Sequence, residues 1–185
     1  ETREGILKHC SGNNAQRLGA VGERFLRGKS PSLEAQLANV ADEIAYNNHD
    51  VDDGLRSGYL NLPQLQEVAL WKEHFQAVQA LYPHAPERRI INETIRRIIN
   101  AQIADLTASV QQALAKLTPQ SVDDIRGSPE LVKFSTLMAE QNTQLKQFLR
   151  HNLYRHYQVR RMTNKAVRIV TDLFEAFLAD PLLLP

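Results

Sequence analysis

Three side chains with ligand-binding chemistry follow one another at four-residue intervals: Asp42, Tyr46 and Asp50. In a helix, at about 100° per residue, this interval places all three on one side and one turn apart. Carboxylates can bind a hard metal ion or accept hydrogen bonds from hydroxyl groups. The spacing therefore predicts a helix face that lines a cleft, although the same acidic pattern is also typical of a face that is only solvated.

The segment that carries these residues has the pattern of an amphipathic helix. Four aliphatic residues at helical spacing predict a buried stripe opposite Asp42: Leu33, Leu37, Val40 and Ile44. Four alanines flank the acidic side and would let another helix approach closely: Ala35, Ala38, Ala41 and Ala45. Ser30 followed by Pro31 predicts the start of the helix, and Gly54 predicts its end.

The rest of the chain has helical periodicity and almost no strand signals. The predicted helices cover residues 62–81, 87–117, 128–153 and 164–178. Trp71 is expected in the core, and the polar break between Thr118 and Ser128 is short enough for an ordinary helix connection. These patterns predict an all-α fold, a multi-helix bundle.

A basic tract over residues 146–168 interleaves tyrosines with positive charges. It contains Lys146, Arg150, Arg155, Arg160, Arg161, Lys165 and Arg168, with His151, His156, Tyr154 and Tyr157. Arginine and lysine can neutralise and orient the closely spaced charges of a triphosphate. The alternative is that these long side chains only cover a helix surface. Tyr154 could stack on a base, but an ordinary buried tyrosine is the preferred interpretation.

The composition restricts the class of protein. The 185 residues, 43% of them hydrophobic, suffice for one well-buried core. Cys10 is the only cysteine, which excludes an internal disulfide and a cysteine-built zinc site and favours a reducing, cytoplasmic compartment. No apolar run is long enough for a membrane span, and the net charge of +1 gives no overall attraction to nucleic acid. Because the chain opens on Glu1 rather than methionine, we expect it to be part of a longer protein.

One long string of residues carries a resemblance to a known family. The string EAQxAxxADEIAYxxHDxxDG, residues 34–54, resembles the signature of the deoxyguanosine triphosphate triphosphohydrolase-like branch of the HD-domain phosphohydrolases. The resemblance extends to REGILKH at residues 3–9 and to residues 148–185. It implies that residues 1–60 are the carboxyl-terminal part of an HD catalytic core, with its last metal-ligand helix. Residues 61–185 would then be a carboxyl-terminal helical region packed with it as one unit.

The resemblance also implies a role for each candidate residue. Asp42 matches the last aspartate of the family's H…HD…D set, which binds a divalent cation such as Mg²⁺ or Mn²⁺. Tyr46 resembles the tyrosine that packs against the deoxyribose, and Asp50 resembles the aspartate that accepts a hydrogen bond from the 3′-hydroxyl. Basic residues from the carboxyl-terminal helices surround nucleotide in the family, at the active cleft or at an effector site between subunits. The residues that we assign to this role are Arg155, Arg160 and Arg161.

The adjacent pair His49 and Asp50 is not the HD pair itself. In the family that pair lies on an earlier helix, and His9 and His49 are the only histidines before Asp50. His49 is expected to form hydrogen bonds at the end of its helix. The chain thus contains Asp42 but no complete catalytic set, so we expect this fragment to bind no metal tightly and to be inactive. Its parent would hydrolyse a deoxynucleoside triphosphate to the deoxynucleoside and triphosphate, with a metal-bound water as the attacking group.

A second hypothesis is that the chain is a non-catalytic helical module for interaction or oligomerisation. Long amphipathic helices and a mixed-charge surface allow pairing with another copy or with a partner. On either hypothesis we expect a homo-oligomer and no membrane association. Deoxynucleoside triphosphates are the expected partners of the enzyme, while nucleic acid binding is not indicated but stays open.

Overall fold

The computed structural model describes residues 29–184, together with residues 17, 19, 22, 23 and 26. Within residues 29–184 the chain forms seven α-helices and no strand, which confirms the all-α prediction. The helices are α1 (Leu33–Ser57), α2 (Leu62–Leu65), α3 (Ala69–Leu81), α4 (Glu87–Leu117), α5 (Val122–Gly127), α6 (Thr136–Leu149) and α7 (Tyr157–Ala179). A π-helical turn (Arg150–Tyr154) follows α6, and a 3₁₀ turn (Pro181–Leu183) follows α7. The REGILKH string, His9 and Cys10 lie outside the described residues.

The ends of α1 differ from the prediction by a few residues. Ser32 caps the helix, because its hydroxyl oxygen accepts a hydrogen bond from the Ala35 backbone N–H. Ser30 instead donates its hydroxyl to the Ser128 carbonyl oxygen at 2.8 Å. At the other end the helix continues past Gly54 to Ser57 and ends at Gly58, whose φ of 74° is left-handed.

Gly54 has a packing role rather than a terminating one. A Cβ atom at this position would lie 2.7 Å from the Leu60 Cγ atom, and Leu60 is itself buried. The missing side chain therefore lets the segment after α1 fold back against the helix.

The core lies between α3 and α4, with α1 and α6 packed across that pair. Trp71 is 1% exposed, so its predicted core position is confirmed. Of the stripe predicted on α1, Ile44 is buried, Leu33 and Val40 are half-buried, and Leu37 is 50% exposed. Leu37 lines a mainly apolar groove of about 740 Å³ between α1 and α4. One edge of the predicted stripe is therefore left uncovered.

Buried amides join three of the helices. Asn48 on α1 donates to the side-chain oxygen of Gln102 on α4 at 2.9 Å. Gln102 donates in turn to Asn142 on α6 at 3.1 Å, and Asn142 donates to Glu43 on α1 at 2.7 Å. This polar network fixes the relative heights of α1, α4 and α6, because a buried amide without a partner is costly.

The segment before α6 is extended, contrary to the predicted helix over 128–153. The Gln36 side-chain oxygen accepts hydrogen bonds from the backbone N–H groups of Leu131 and Val132, at 2.8 and 3.2 Å. These contacts hold the segment against α1, and the helix begins only after the cap Ser135. The predicted helix over 62–81 is likewise interrupted, since Val68 is extended between α2 and α3.

Helix α7 differs from the others because none of its residues is buried. In the described chain it packs mainly against the π-helical turn before it and the 3₁₀ turn after it. It begins seven residues before the predicted start and ends at Ala179, close to the stop that Pro181 predicts. Its apolar residues face solvent, including Val170 at 66% exposure and Phe174 at 67%. Even so, none of the described helices is both long enough and apolar enough to span a membrane.

Candidate functional site

Asp42 and Tyr46 line a cleft between α1 and the segment that leads into α6. The cleft has a volume of about 1070 Å³. Both side chains are exposed, Tyr46 to 61%. The facing wall consists mainly of Glu130, Lys133, Thr136, Ala139, Glu140, Thr143, Lys146 and Gln147. The structure therefore places Asp42 and Tyr46 on a cleft wall, whereas Asp50, which the spacing predicts on the same face, is not among the residues that line this cleft.

Asp50 makes its contact with the π-helical turn. The Tyr154 hydroxyl donates a hydrogen bond to the Asp50 Oδ2 atom, across 104 residues of sequence. Burial raises the pKa of the Tyr154 hydroxyl, and the hydrogen bond and charge of Asp50 raise it further. Tyr154 is nevertheless 40% exposed, so the interpretation of it as an ordinary buried tyrosine is wrong.

A second cavity, of about 610 Å³, adjoins the cleft. Its lining is Asn47, Thr143, Lys146, Gln147, Arg150, Tyr154 and Arg155. Four of these residues also line the cleft, so the two spaces are continuous. Among the described residues around it there are three cations and no carboxylate. The second cavity is therefore suited to an anion.

The basic residues chosen from the sequence divide into two groups. Arg155 lines the second cavity, together with Arg150 and Lys146, which sequence reasoning placed in the tract but did not select. Arg160 and Arg161 lie in the first turns of α7 and line neither the cleft nor the second cavity. Of the three arginines selected from the sequence, only Arg155 therefore lies next to α1.

The residues of α6 and the π-helical turn that contact α1 or line the second cavity share a signal that could have identified them. Asn142, Lys146, Arg150 and Tyr154 recur every four residues along α6 and the π-helical turn. Two contacts show that this row runs parallel to α1: Lys146 Nζ lies 3.1 Å from the Glu43 carboxylate, and Tyr154 binds Asp50. The π-helical turn that ends α6 carries Arg150 and Tyr154, and both residues line the second cavity.

The donor set at Asp42 does not amount to a complete metal site. Among the described residues, no three or more His, Cys, Asp or Glu side chains are close enough together to bind an ion. The neighbouring carboxylate of Glu43 is held by Asn142 and Lys146. His49 lies mid-helix and lines the apolar groove between α1 and α4, so the prediction that it sits at a helix end is wrong. Among the described residues, Asp42 is a possible metal ligand. The described residues do not by themselves make up a site that fits a divalent ion.

The structure thus combines an all-helical scaffold, an acidic, tyrosine-bearing helix and an adjacent cavity lined by Lys146, Arg150 and Arg155. Residues 132–185 match the family model described as a phosphohydrolase-associated domain. All 185 residues also align with deoxyguanosinetriphosphate triphosphohydrolase-like proteins. The identity is 60% for the protein of Ralstonia nicotianae, 59% for that of Bordetella pertussis and 50% for that of Nitrosomonas europaea.

The chain therefore belongs to the deoxyguanosinetriphosphate triphosphohydrolase-like family, which confirms the resemblance in the sequence. It spans about half the length of these relatives, 48% for the first two and 50% for the third.

Tyr154 should make the stability of the protein depend on alkaline pH. Its folded-state pKa is raised above the unfolded value of about 10, so its contribution is complete below that pH and is lost as the pH rises further. We expect the free energy of unfolding to fall less steeply above about pH 10 in Tyr154→Phe than in the native chain. Urea unfolding at a series of pH values measures this. Tyr82→Phe, at a tyrosine of similar exposure (46%), is the control, and an equal change in both variants would contradict the prediction.

Proposed function

We propose that the cleft and the second cavity together bind a deoxynucleoside triphosphate. The longer protein to which this chain corresponds would cleave it to the deoxynucleoside and triphosphate. One observation carries the proposal: Asp42 and Tyr46 line a cleft that shares four lining residues with a cavity lined by three cations, and Asp50 contacts Tyr154 at the edge of that cavity. Residues 1–60 would then belong to the catalytic core, and residues 61–185 would form a helical region packed on it.

The sugar is assigned to Tyr46 and Asp50. The exposed ring of Tyr46 offers the deoxyribose an apolar surface one turn from Asp42. Asp50 would accept the hydrogen bond of the 3′-hydroxyl. The Tyr154 hydroxyl donates to Asp50 and so holds the carboxylate in place for that contact.

The phosphates are assigned to the cationic wall. Lys146, Arg150 and Arg155 surround one space, so several of them can contact a single polyphosphate. Lys146 also contacts Glu43, and this contact holds its ammonium group near the level of Asp42. Arg160 and Arg161 stay predicted nucleotide contacts, which would require the phosphate chain to reach the start of α7.

Asp42 is assigned to a divalent cation in the longer protein. Its carboxylate is exposed on the cleft wall, where an ion could reach it. Because no complete ligand group is found among the described residues, this chain alone should bind metal weakly and should not hydrolyse nucleotide.

The uncovered surface of α7 favours a second candidate, a helical module for self-association. Large apolar side chains are exposed along the whole helix, and a surface of this kind is typical of protein interaction sites. This function and nucleotide binding use different faces of the chain, so both can be tested on the same protein.

In a full-length relative, replacement of the aspartate equivalent to Asp42 by asparagine should lower metal content and turnover together. The change keeps the size of the side chain but removes the charge that a hard cation prefers. Metal analysis and a triphosphate-release assay measure the two quantities. Full activity with undiminished metal would contradict the assignment.

The 185-residue chain should bind deoxynucleoside triphosphates weakly, with an affinity that falls as salt increases. Asp50→Ala should lower the affinity about tenfold, because the 3′-hydroxyl loses its acceptor. Arg155→Gln should lower it about threefold to tenfold, by removing a charge from the second cavity. The double variant Arg160→Gln, Arg161→Gln tests whether the two arginines at the start of α7 contact the nucleotide. Titration calorimetry at two salt concentrations measures these effects, and unchanged affinity in Asp50→Ala would contradict the sugar assignment.

Self-association through α7 should be abolished by a charge in its apolar surface. We expect Phe174→Glu to shift the chain to monomer at concentrations where the native chain is dimeric or larger, since a buried carboxylate opposes packing. Leu137→Glu on α6 is a matched control, because Leu137 and Phe174 are both 67% exposed. Sedimentation velocity gives the oligomeric state. A native chain that is monomeric at every concentration would rule out this candidate.

A further inference from the structure

Asn47 has a buried amide group without a hydrogen-bond partner. The residue is 6% exposed, and its Nδ2 atom has no acceptor in the described part of the chain. Buried polar groups in native proteins are nearly always paired, and an unpaired one lowers the stability of the folded state. A buried donor of this kind is suited to an acceptor from outside the described residues.

The next residue shows that burial of an asparagine here does not require an unpaired amide. Asn48 is 2% exposed, and its Nδ2 atom donates both to the Ile44 carbonyl oxygen at 2.8 Å and to Gln102 at 2.9 Å. Asn48 therefore has a structural role. Asn47, one residue earlier, lies about 100° away around the helix, on a different side from the polar network of Asn48, Gln102 and Asn142.

Asn47 is placed where the cleft and the second cavity join, since it lines both. Its neighbours across this junction are Lys146 and Gln147, which also line both spaces, and Arg150 lines the second cavity. The contacts from Glu43 to Lys146 and from Asp50 to Tyr154 bracket the height of Asn47 on α1. An acceptor between an amide N–H and these cations is most favourable when it is an anionic oxygen.

We propose that the Nδ2 atom of Asn47 donates a hydrogen bond to a phosphate oxygen of the ligand held between α1 and the cationic wall. The inference rests on the proposed function, because it takes the polyphosphate of the nucleotide as the ligand. It adds a neutral, buried donor to the charged groups already assigned. Such a donor fixes the position of one oxygen, whereas mobile lysine and arginine side chains mainly supply charge.

The affinity for inorganic triphosphate tests the proposal without a nucleoside. Asn47→Asp keeps the shape of the side chain, removes its N–H donors and adds a negative charge, so we expect the affinity to fall about tenfold or more. Asn39→Asp adds the same charge on the cleft wall two turns earlier on α1, and should lower the affinity less than about threefold. Equal affinities of the native chain and Asn47→Asp would overturn the proposal.

Thermal unfolding distinguishes a ligand-binding role from a structural one. Asn47→Leu should lose affinity for inorganic triphosphate while its melting temperature is unchanged or higher, because it removes a donor that is already unpaired. Asn48→Leu should lower the melting temperature by about 3–6 °C, because it removes the donor to the buried side-chain oxygen of Gln102. If Asn47→Leu is destabilised as much as Asn48→Leu and still binds triphosphate, the role of Asn47 is structural.

Failure of this inference can be separated from failure of the proposed function. Binding of inorganic triphosphate that depends on Asn47, with no further gain from a deoxynucleoside, would support the inference and contradict the nucleotide assignment. Binding of deoxynucleoside triphosphate that depends on Asp50 but not on Asn47 would support the nucleotide assignment and contradict the inference about Asn47.

Discussion

The chain of buried amides between α1, α4 and α6 fixes how α1 lies against α6, and so where Asp42, Tyr46 and Asp50 lie relative to Lys146. Asn48, Gln102 and Asn142 each use their amide as a donor to the next side chain, and the chain ends on the carboxylate of Glu43. Sliding one helix by a turn would break several of these bonds at once and leave buried polar atoms unpaired. Because Asn48 is anchored in the interior, Tyr46, about 200° away around the helix, must point outward to the cleft. The network thus turns an otherwise regular amphipathic helix into one wall of a binding site.

An ion pair between Glu43 and Lys146 adds a second constraint to the one that the amide network imposes. Glu43 is the point at which the two systems meet, since it accepts a hydrogen bond from Asn142 and pairs with Lys146 at 3.1 Å. Lys146 is 49% exposed and its partner 37%, so this pair contributes little to stability. Its consequence is positional: one lysine is held at the border of the cleft and the second cavity, while Arg150 and Arg155 remain available to a ligand. Asp42 and Glu43 line the cleft on the α1 side, whereas α6 contributes both Glu140 and Lys146 to the opposite wall. The positive charge is concentrated in the second cavity, around Lys146, Arg150 and Arg155, and this suits the phosphate groups of a ligand.

The sequence predicted the helices well wherever local periodicity decides the structure. Helix α4 occupies the 31 residues from Glu87 to Leu117 that its stripe and the following proline indicate. Prediction failed where contacts distant in sequence compete with local preference. Gln36 holds residues 131 and 132 in an extended segment that Ser128 and Pro129 made look like a helix start. Site prediction has the same limit. Arg155 and Arg160 look equivalent in the basic tract. The chain, however, turns at His156, whose ring stacks on Tyr59 and lies tilted against Tyr157, and of these two arginines only Arg155, before the turn, lines the cavity.

The surfaces that remain uncovered bear on how this site could be completed. On one side of α1 lies the apolar groove lined by Leu37, Ala41 and Ala45, and on another lies the cleft with Asp42. The exposed apolar surface of the groove is unfavourable in water. A single carboxylate such as that of Asp42 binds a divalent cation weakly. A further helical layer against α1 would meet both needs, because it could bury the groove and bring additional ligands to Asp42. The alanines on α1 permit such an approach, since their small side chains allow helix axes to come close. Helix α1 is thus anchored on one side by buried amides, and on its other sides it presents an apolar groove and the carboxylate of Asp42.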